Sequence, residues 1–407
     1  MDRLCLEAEG SALDAVILTV GEILRTCLSS VADLLKLGPR ARRVLRLLAA
    51  CGQPELGANI YHCPHCQTRH FGPRSCGDRH CPRCLAAKSR RWLQHQLDSL
   101  LPVTYYHCVF TLPRELHNLV LLNPTRLYPL LFDCVSQALL EFGRNRLGGD
   151  LGVTVVLHTW GQQLNFHPHL HCIVTGGALR ADGQRWRSPK QRKFLFPVRA
   201  LAALFRGKFL HGLKSMLQGA QPLRLPQGHP TSTKSLCAWF SNLYAQRWVV
   251  YAKRPFGGPE QVLSYLANYT HRVAISNRRL VALDKERQTV TFTYRDYRDG
   301  SKVKTLMLSA RAFIQRFSWH ILPAGLVRIR HYGILSNNRR HRDIPRARAI
   351  LQRRGRRRPQ PKPAVKAEPW PPMRCPHCAQ EGLRWIGFLD AQGRTHLKPA
   401  VPIRDSS

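Results

Sequence analysis

Apolar residues change their spacing along this chain. Between residues 12 and 50 they recur at helical intervals, as Leu13, Val16, Ile17, Val20, Ile23 and Leu24, and again as Val44, Leu45, Leu47 and Leu48. Residues 60–84 break that rhythm and are short, polar and rich in Cys and His. Lys88–Leu101 returns to a helical pattern, basic on one side. From Val103 the chain alternates between two periods. Val103–Leu112 predicts a strand, Pro124–Arg146 a helix, Val153–Trp160 a strand, and Leu164–Thr175 a strand closed by Gly176-Gly177. Residues 178–250 are less regular, with basic loops and helices. Gly257-Gly258-Pro259 opens a helix to about His271, because Pro suits the first helical position. Strands over Val273–Leu283 and Thr289–Tyr294 follow, joined by a turn at Asp284-Lys285.

This order predicts an α+β fold with an antiparallel-rich sheet and helices on one face. The domain boundaries it suggests are a helical region at 1–58, a zinc-binding domain and basic helix at 59–100, and a catalytic domain at 101–335 with an insertion at about 178–250. A basic, disordered linker at 336–370 and a C-terminal segment at 371–407 complete the chain.

Charge changes the picture. The 407 residues carry 63 Lys plus Arg against 24 Asp plus Glu, a formal net charge of +39. Such an excess repels itself unless a polyanion offsets it, and nucleic acid is the simplest one. Residues 339–366 alone hold ten Arg and two Lys against one Asp, a composition that predicts a disordered DNA-contacting arm. Arg339, Arg340, Arg356, Arg357 and Arg358 in that arm are candidate phosphate contacts, with Lys253, Arg254 and Arg272 around the 257–271 helix. No run approaches the roughly 20 apolar residues of a spanning helix. Asp2, Glu7 and Glu9 make the start unlike a signal peptide. The expectation is a cytoplasmic protein without membrane contact.

Cysteine placement speaks for metal rather than disulfides. Cys63-Pro-His-Cys66 and Cys81-Pro-Arg-Cys84 are two C-x2-C knuckles 14 residues apart, the spacing of a tetrahedral Zn²⁺ ribbon. Cys76 or His80 could replace one thiolate. Cys375-Pro-His-Cys378 is half a site, to be completed by His377 or a second subunit if at all. Cys5, Cys27, Cys51, Cys108, Cys134, Cys172 and Cys237 stand singly in apolar stretches and read as inert core residues.

The other chemical signal is His167-Pro168-His169-Leu170-His171, inside a predicted strand. His169 and His171 share one face, and together they can hold a divalent ion with positions left open for catalysis. His167, beside Pro168 at the strand's entrance, is not a ligand candidate. Gln261 or His158 could supply a third ligand. Tyr265 and Tyr269 are one helical turn apart, so their hydroxyls emerge from one face, although Val262, Tyr265, Leu266 and Tyr269 also form an ordinary packing stripe. A phenol is a covalent carrier for phosphate. Attack on a phosphodiester would leave a 5′-phosphotyrosine and a free 3′-hydroxyl, and rejoining would need no nucleotide cofactor.

Together these segments resemble a known family. His169-Leu170-His171 matches its "HUH" element and Tyr265-x3-Tyr269 its paired tyrosines. Tyr251–Ser276, Arg74–Cys84 and Arg328–Leu335 are similar to further blocks of the two-tyrosine rolling-circle transposases of bacterial insertion sequence 91 and relatives. The resemblance covers roughly residues 40–345. It implies a ferredoxin-like palm that uses Mg²⁺ or Mn²⁺ and a structural Zn²⁺. It also implies nicking and rejoining of single-stranded DNA at element ends and target, in a bacterial, nucleoid-associated setting. A replication initiator or relaxase would share this chemistry. A non-catalytic zinc-dependent DNA-binding protein would leave the histidines and tyrosines unexplained. A carboxylate-based transposase is disfavoured, since only ten acidic residues occur between 103 and 320.

Overall fold

In a computed structural model the described residues are 18–85, 99–190, 195–252, 273–353, 355 and 373–398. Helices α1 (Val20–Val31) and α2 (Pro39–Ala49) come first. Thr19 caps α1 by accepting the Glu22 amide at 3.1 Å, and Pro39 starts α2. Strands β1 (Ala58–His62) and β2 (Arg69–Pro73) form a hairpin. The central region then holds β3 (Tyr105–Thr111), α3 (His117–Leu122), α4 (Pro124–Leu147), β4 (Gly149–Asp150), β5 (Gly152–Trp160) and β6 (Phe166–Thr175). After them come β7 (Ala178–Arg180), β8 (Trp186–Arg187), α5 (Val198–Gln218), α6 (Thr233–Ala245) and β9 (Val250–Ala252). The last part runs through β10 (Leu280–Asp284), β11 (Thr289–Asp296), β12 (Lys302–Ser309), α7 (Ala310–Ser318), β13 (Ile329–Gly333), α8 (Arg340–Arg353), β14 (Arg384–Leu389) and β15 (Thr395–Leu397).

The main sheet has the order β13-β5-β6-β3-β9, and every neighbouring pair is antiparallel. Its two faces differ. Val153, Val155 and Leu157 of β5, Phe166, Leu170, Cys172 and Val174 of β6, and Cys108 and Phe110 of β3 all join one core. Helices α4 and α5 cover that face with Leu131, Phe132, Val135, Phe205 and Phe209. On the opposite face Ile173 and Tyr105 pack under Ile344, Ala347 and Leu351 of α8. The histidines of β6 share this second face, nearer the other end of the strand. Gly333, at φ +65°, ends β13 where a Cβ would collide with the Leu151 carbonyl, so only glycine fits. A third core joins α1 and α2 to α7 and the β10-β11-β12 sheet, through Ile23, Leu24, Leu45, Val290, Phe292 and Phe313.

Several expectations are corrected. The predicted strands at 273–283 and 289–294 do not extend the main sheet; the observed β10 and β11 belong with β12 to a separate one. The main sheet is completed instead by two short edge strands, β9 and β13, too brief and too mixed to show a period. Residues 340–353, expected in a disordered linker, form α8: Ile344, Ala347 and Leu351 bury one stripe despite the surrounding arginines. Within 371–398, β14 pairs with β1, giving a four-stranded sheet of order β15-β14-β1-β2. The helix expected over 257–271 and most of that over 88–101 lie outside the described residues. No helix among the described residues is long and apolar enough to cross a membrane.

Leu170 sits between the histidines yet points into the helix-covered core with no exposed surface. Leu170→Ala should therefore cost about 2–5 kcal/mol. A urea midpoint that matches the unsubstituted protein would refute that placement.

Candidate metal centre

The β5–β6 register builds the histidine cluster. His158 stands directly opposite His169, and Val156 opposite His171. Directly opposed residues share a face, so His158, His169 and His171 converge. Their ligand atoms lie within 4.8 Å of one another. His169 Nε2 is 3.0 Å from His171 Nε2. Two nitrogens each about 2.1 Å from one ion at a right angle would be separated by about 3.0 Å, which is the fit expected of a shared divalent ion.

Neighbours set the tautomers. His169 Nδ1–H donates to the His167 carbonyl at 2.7 Å, which leaves the Nε2 lone pair pointing into the cluster. His171 Nδ1 lies 2.9 Å from His107 Nε2 on β3, and the two rings stack 8° from parallel. A proton on His171 Nδ1, donated to His107, likewise turns the lone pair of His171 Nε2 towards the cluster. Trp160 stacks on His158 with ring centres 4.6 Å apart, just past a bulge in β5. Burial pushes His169 down to about 4, so it is neutral at pH 7, the form that binds metal.

His158 is thus brought to the cluster. Gln261, Tyr265, Tyr269, Lys253, Arg254 and Arg272 lie outside the described residues. Their segment leaves from β9, where Ala252 pairs with Cys108, and returns at Val273, which lines a 20 Å³ cavity with Trp160 and His320. His107 and His320 were missed in the sequence. His107 carries a signal in hindsight, since it alternates within β3 onto the same face. His320 carries none. It accepts from Thr159 at Nδ1 (3.2 Å) and donates from Nε2 to the Leu164 carbonyl (3.2 Å), holding the β5–β6 turn where Leu164 takes a left-handed φ of +57°.

An open groove of about 970 Å³ runs beside His167. Arg114, Arg295, Arg298, Tyr294, Tyr297 and Trp319 contribute to its walls. Of the candidate phosphate contacts in the arm, Arg356, Arg357 and Arg358 lie outside the described residues. Arg339 is committed elsewhere: it pairs with Asp150 at 2.6 Å and with the buried Asp343 at 2.7 Å, so it anchors α8 instead of offering a free cation. Arg340 begins α8 and is half-buried.

The cysteines do not form the single expected set. Cys81 and Cys84 gather with Cys51 and Cys76, whereas Cys63 and Cys66 gather with Cys375 and Cys378. The reason is the path after β2. Arg74 exchanges backbone bonds with Gly52 and Gly57, which brings the Cys76 amide to 3.5 Å from Cys51 Sγ, away from the first knuckle. Cys51, expected as an inert core residue, is therefore part of a thiol cluster. Its sulfur is 3.6 Å from those of Cys81 and Cys84. Four sulfurs about 2.3 Å from a tetrahedral Zn²⁺ are about 3.8 Å apart, so this set fits zinc. His80 does not join it: its Nδ1 donates to Asp78 at 2.7 Å and its Nε2 accepts the Leu322 amide at 3.0 Å.

Comparisons with known proteins agree on a family. Residues 23–112 match a family described as "Transposase zinc-binding domain", and residues 152–342 one described as "Putative transposase". "Putative transposase y4qJ" of Sinorhizobium fredii is 41% identical over 313 residues, covering 76% of this chain and 78% of that protein. "Transposase for insertion sequence element IS801" of Pseudomonas savastanoi pv. phaseolicola is 29% identical over 297 residues, covering 71% and 69%. A solved structure of the conjugative relaxase TrwC with OriT DNA aligns over 52% of this chain and 71% of its own, at 13% identity and a TM-score of 0.25.

Burial holds His169 and His320 at about 4, whereas in the unfolded chain each takes a proton near 6.5. Above about pH 6.5 neither state binds that proton. Between about 6.5 and 4 the unfolded chain binds more, so stability falls as pH falls. The urea midpoint should drop from about pH 7 to about pH 5, and less steeply in His320→Gln, which keeps a donor for Leu164. Equal slopes in the two proteins would count against the His320 contribution.

Proposed function

The chain belongs to the insertion sequence 91 family of transposases, with an N-terminal zinc-binding domain, and on that premise we propose that it nicks and rejoins single-stranded DNA at the ends of a mobile element through a covalent 5′-phosphotyrosine. The observation that carries this reading is the histidine cluster, in which the ligand atoms of His158, His169 and His171 lie within 4.8 Å of one another and the Nε2 atoms of His169 and His171 are 3.0 Å apart. A divalent ion held by His158, His169 and His171, Mg²⁺ or Mn²⁺ in this reading, would polarise a phosphate oxygen and offset the charge of in-line attack.

The rest follows from the chain's own groups. The phenol oxygen of Tyr265 or Tyr269 bonds to phosphorus as the P–O3′ bond breaks. The phenol gives up its proton and the departing 3′ oxygen takes one, so a free 3′-hydroxyl results. The 5′ end stays on the protein in a diester of similar energy, and a 3′-hydroxyl can reverse the step without a nucleotide cofactor. A second tyrosine permits a second transfer while the first link persists. The groove beside His167 suits a single strand, since Tyr297 is 66% exposed for base stacking and Arg114, Arg295 and Arg298 can meet phosphates.

A single-stranded oligonucleotide carrying the element end should become covalently attached, with metal required, on a denaturing gel. His169→Ala and His158→Ala should abolish the adduct, and peptide mapping should find the DNA on Tyr265 or Tyr269. An adduct that survives both histidine changes would refute the metal assignment. Full activity with both tyrosines changed to Phe would instead favour a non-catalytic DNA-binding protein.

Affinity for single strands should fall steeply with salt. Removing Arg295 and Arg298 together should flatten the log–log slope by about 0.7 for each phosphate that is no longer neutralised. An unchanged slope would place the strand elsewhere.

A further inference from the structure

The motif left over from the centre and the family match is Cys375-Pro-His-Cys378. Its sequence repeats Cys63-Pro-His-Cys66, and its backbone repeats it too. In the first knuckle the Cys63 amide donates to Thr68 and the Cys63 carbonyl accepts from Gln67, both at 3.0 Å. In the second the Cys375 amide donates to Gln380 and the Cys375 carbonyl accepts from Ala379, both at 2.8 Å. The residue after each second cysteine is left-handed, Gln67 at φ +58° and Ala379 at φ +56°. Cys81-Pro-Arg-Cys84 shares the bond from the residue after its second cysteine, Leu85, to the Cys81 carbonyl, but its Cys81 amide donates back to Asp78 at 3.2 Å and Leu85 is not left-handed. The matched halves of one site are therefore 309 residues apart in the chain.

We propose that Cys63, Cys66, Cys375 and Cys378 bind a second Zn²⁺, which clasps the C-terminal strands to the N-terminal ribbon. Cys63 Sγ is 3.7 Å from Cys378 Sγ, and Cys66 Sγ is 3.6 Å from Cys375 Sγ. A tetrahedral ion at about 2.3 Å from each sulfur sets edges of about 3.8 Å. Disulfides would need about 2.05 Å. His70 Nε2 stands 3.1 Å from Cys375 Sγ, placed to donate to the thiolate as the outer partner of a ligand. The strands beside the knuckles pair in turn, Tyr61 with Trp385 and His62 with Arg384. Two short strands and a hairpin make a poor core on their own, and the ion supplies the missing cohesion.

The test counts zinc in the full chain carrying His169→Ala, which removes the histidine centre as a competing site. Two zinc ions per chain are expected after dialysis against a weak chelator. One is expected when Cys375→Ser and Cys378→Ser are added, and one again when Cys63→Ser and Cys66→Ser are added to those. Two ions in the Cys375/Cys378 variant would overturn the proposal. Differential alkylation of the unsubstituted protein decides without any variant. Cys63, Cys66, Cys375 and Cys378 should become reactive together as zinc is withdrawn. Alkylation of Cys375 and Cys378 at full zinc occupancy would overturn it as well. Neither readout depends on DNA cleavage, so the clasp and the proposed activity can fail separately.

Discussion

The register between β5 and β6 is the constraint on which the rest depends. Side chains alternate across a strand, so a slip of one residue would send His169 and His171 into the helix-covered core and Leu170 out of it. Two things hold the register. Leu170, Cys172 and Val174 fill the core beneath α4 and α5 without exposed surface, so a slipped strand would bury imidazoles there instead. At the other end the turn is closed by bonds from the Gly161 amide to Asn165 and from the Leu164 amide to Gly161. His320, arriving from beyond α7, ties the Leu164 carbonyl and Thr159 together. A distant element thus helps to fix the placement of the histidines, through the turn that joins their two strands.

The same division between face and counter-face explains what the sequence discloses. Long periodic segments announce themselves: the residues of α4, β5 and β6 carry clear helical or strand periods, because each buries one complete face. The edge strands β9 and β13 do not, because so short a strand as β9 has no period to read and every residue of β13 is only half-buried. The arginine count around 340–353 points to disorder, yet three apolar residues at helical spacing suffice to dock α8. Composition is a poor guide where a few buried side chains outweigh many solvated charges.

Metal ligands follow a similar rule. Spacing in sequence identifies a knuckle, because two sulfurs on a tight turn must be close together in the chain. It does not say which knuckles share an ion, since partners are chosen by the fold. Cys51 looks inert in the sequence because it lies in an apolar stretch, and its role emerges only once the chain after β2 folds back onto residues 52–57. The twin sequence of Cys63–Cys66 and Cys375–Cys378 is the available signal for the other pairing. Identical knuckles adopt identical turns, and two identical turns can face one another across a single tetrahedral ion.

Charge raises the last question of how so basic a chain stays compact. Few carboxylates are available, and some of them sit deep in the fold. Asp343, 2% exposed, receives both Arg339 and Arg342, and Asp150 receives Arg339 and Arg144. Removing one partner of such a buried network leaves an uncompensated charge, which costs far more than a surface ion pair contributes. Arg339, bridging Asp150 and Asp343, therefore ties the start of α8 to β4, whereas Arg144 and Arg342 keep 63% and 58% of their side-chain surface exposed. Arg114, Arg295 and Arg298 line the groove beside His167, next to the histidine cluster, with Asp296 among them. Repulsion among these arginines is offset when a polyanion lies in the groove.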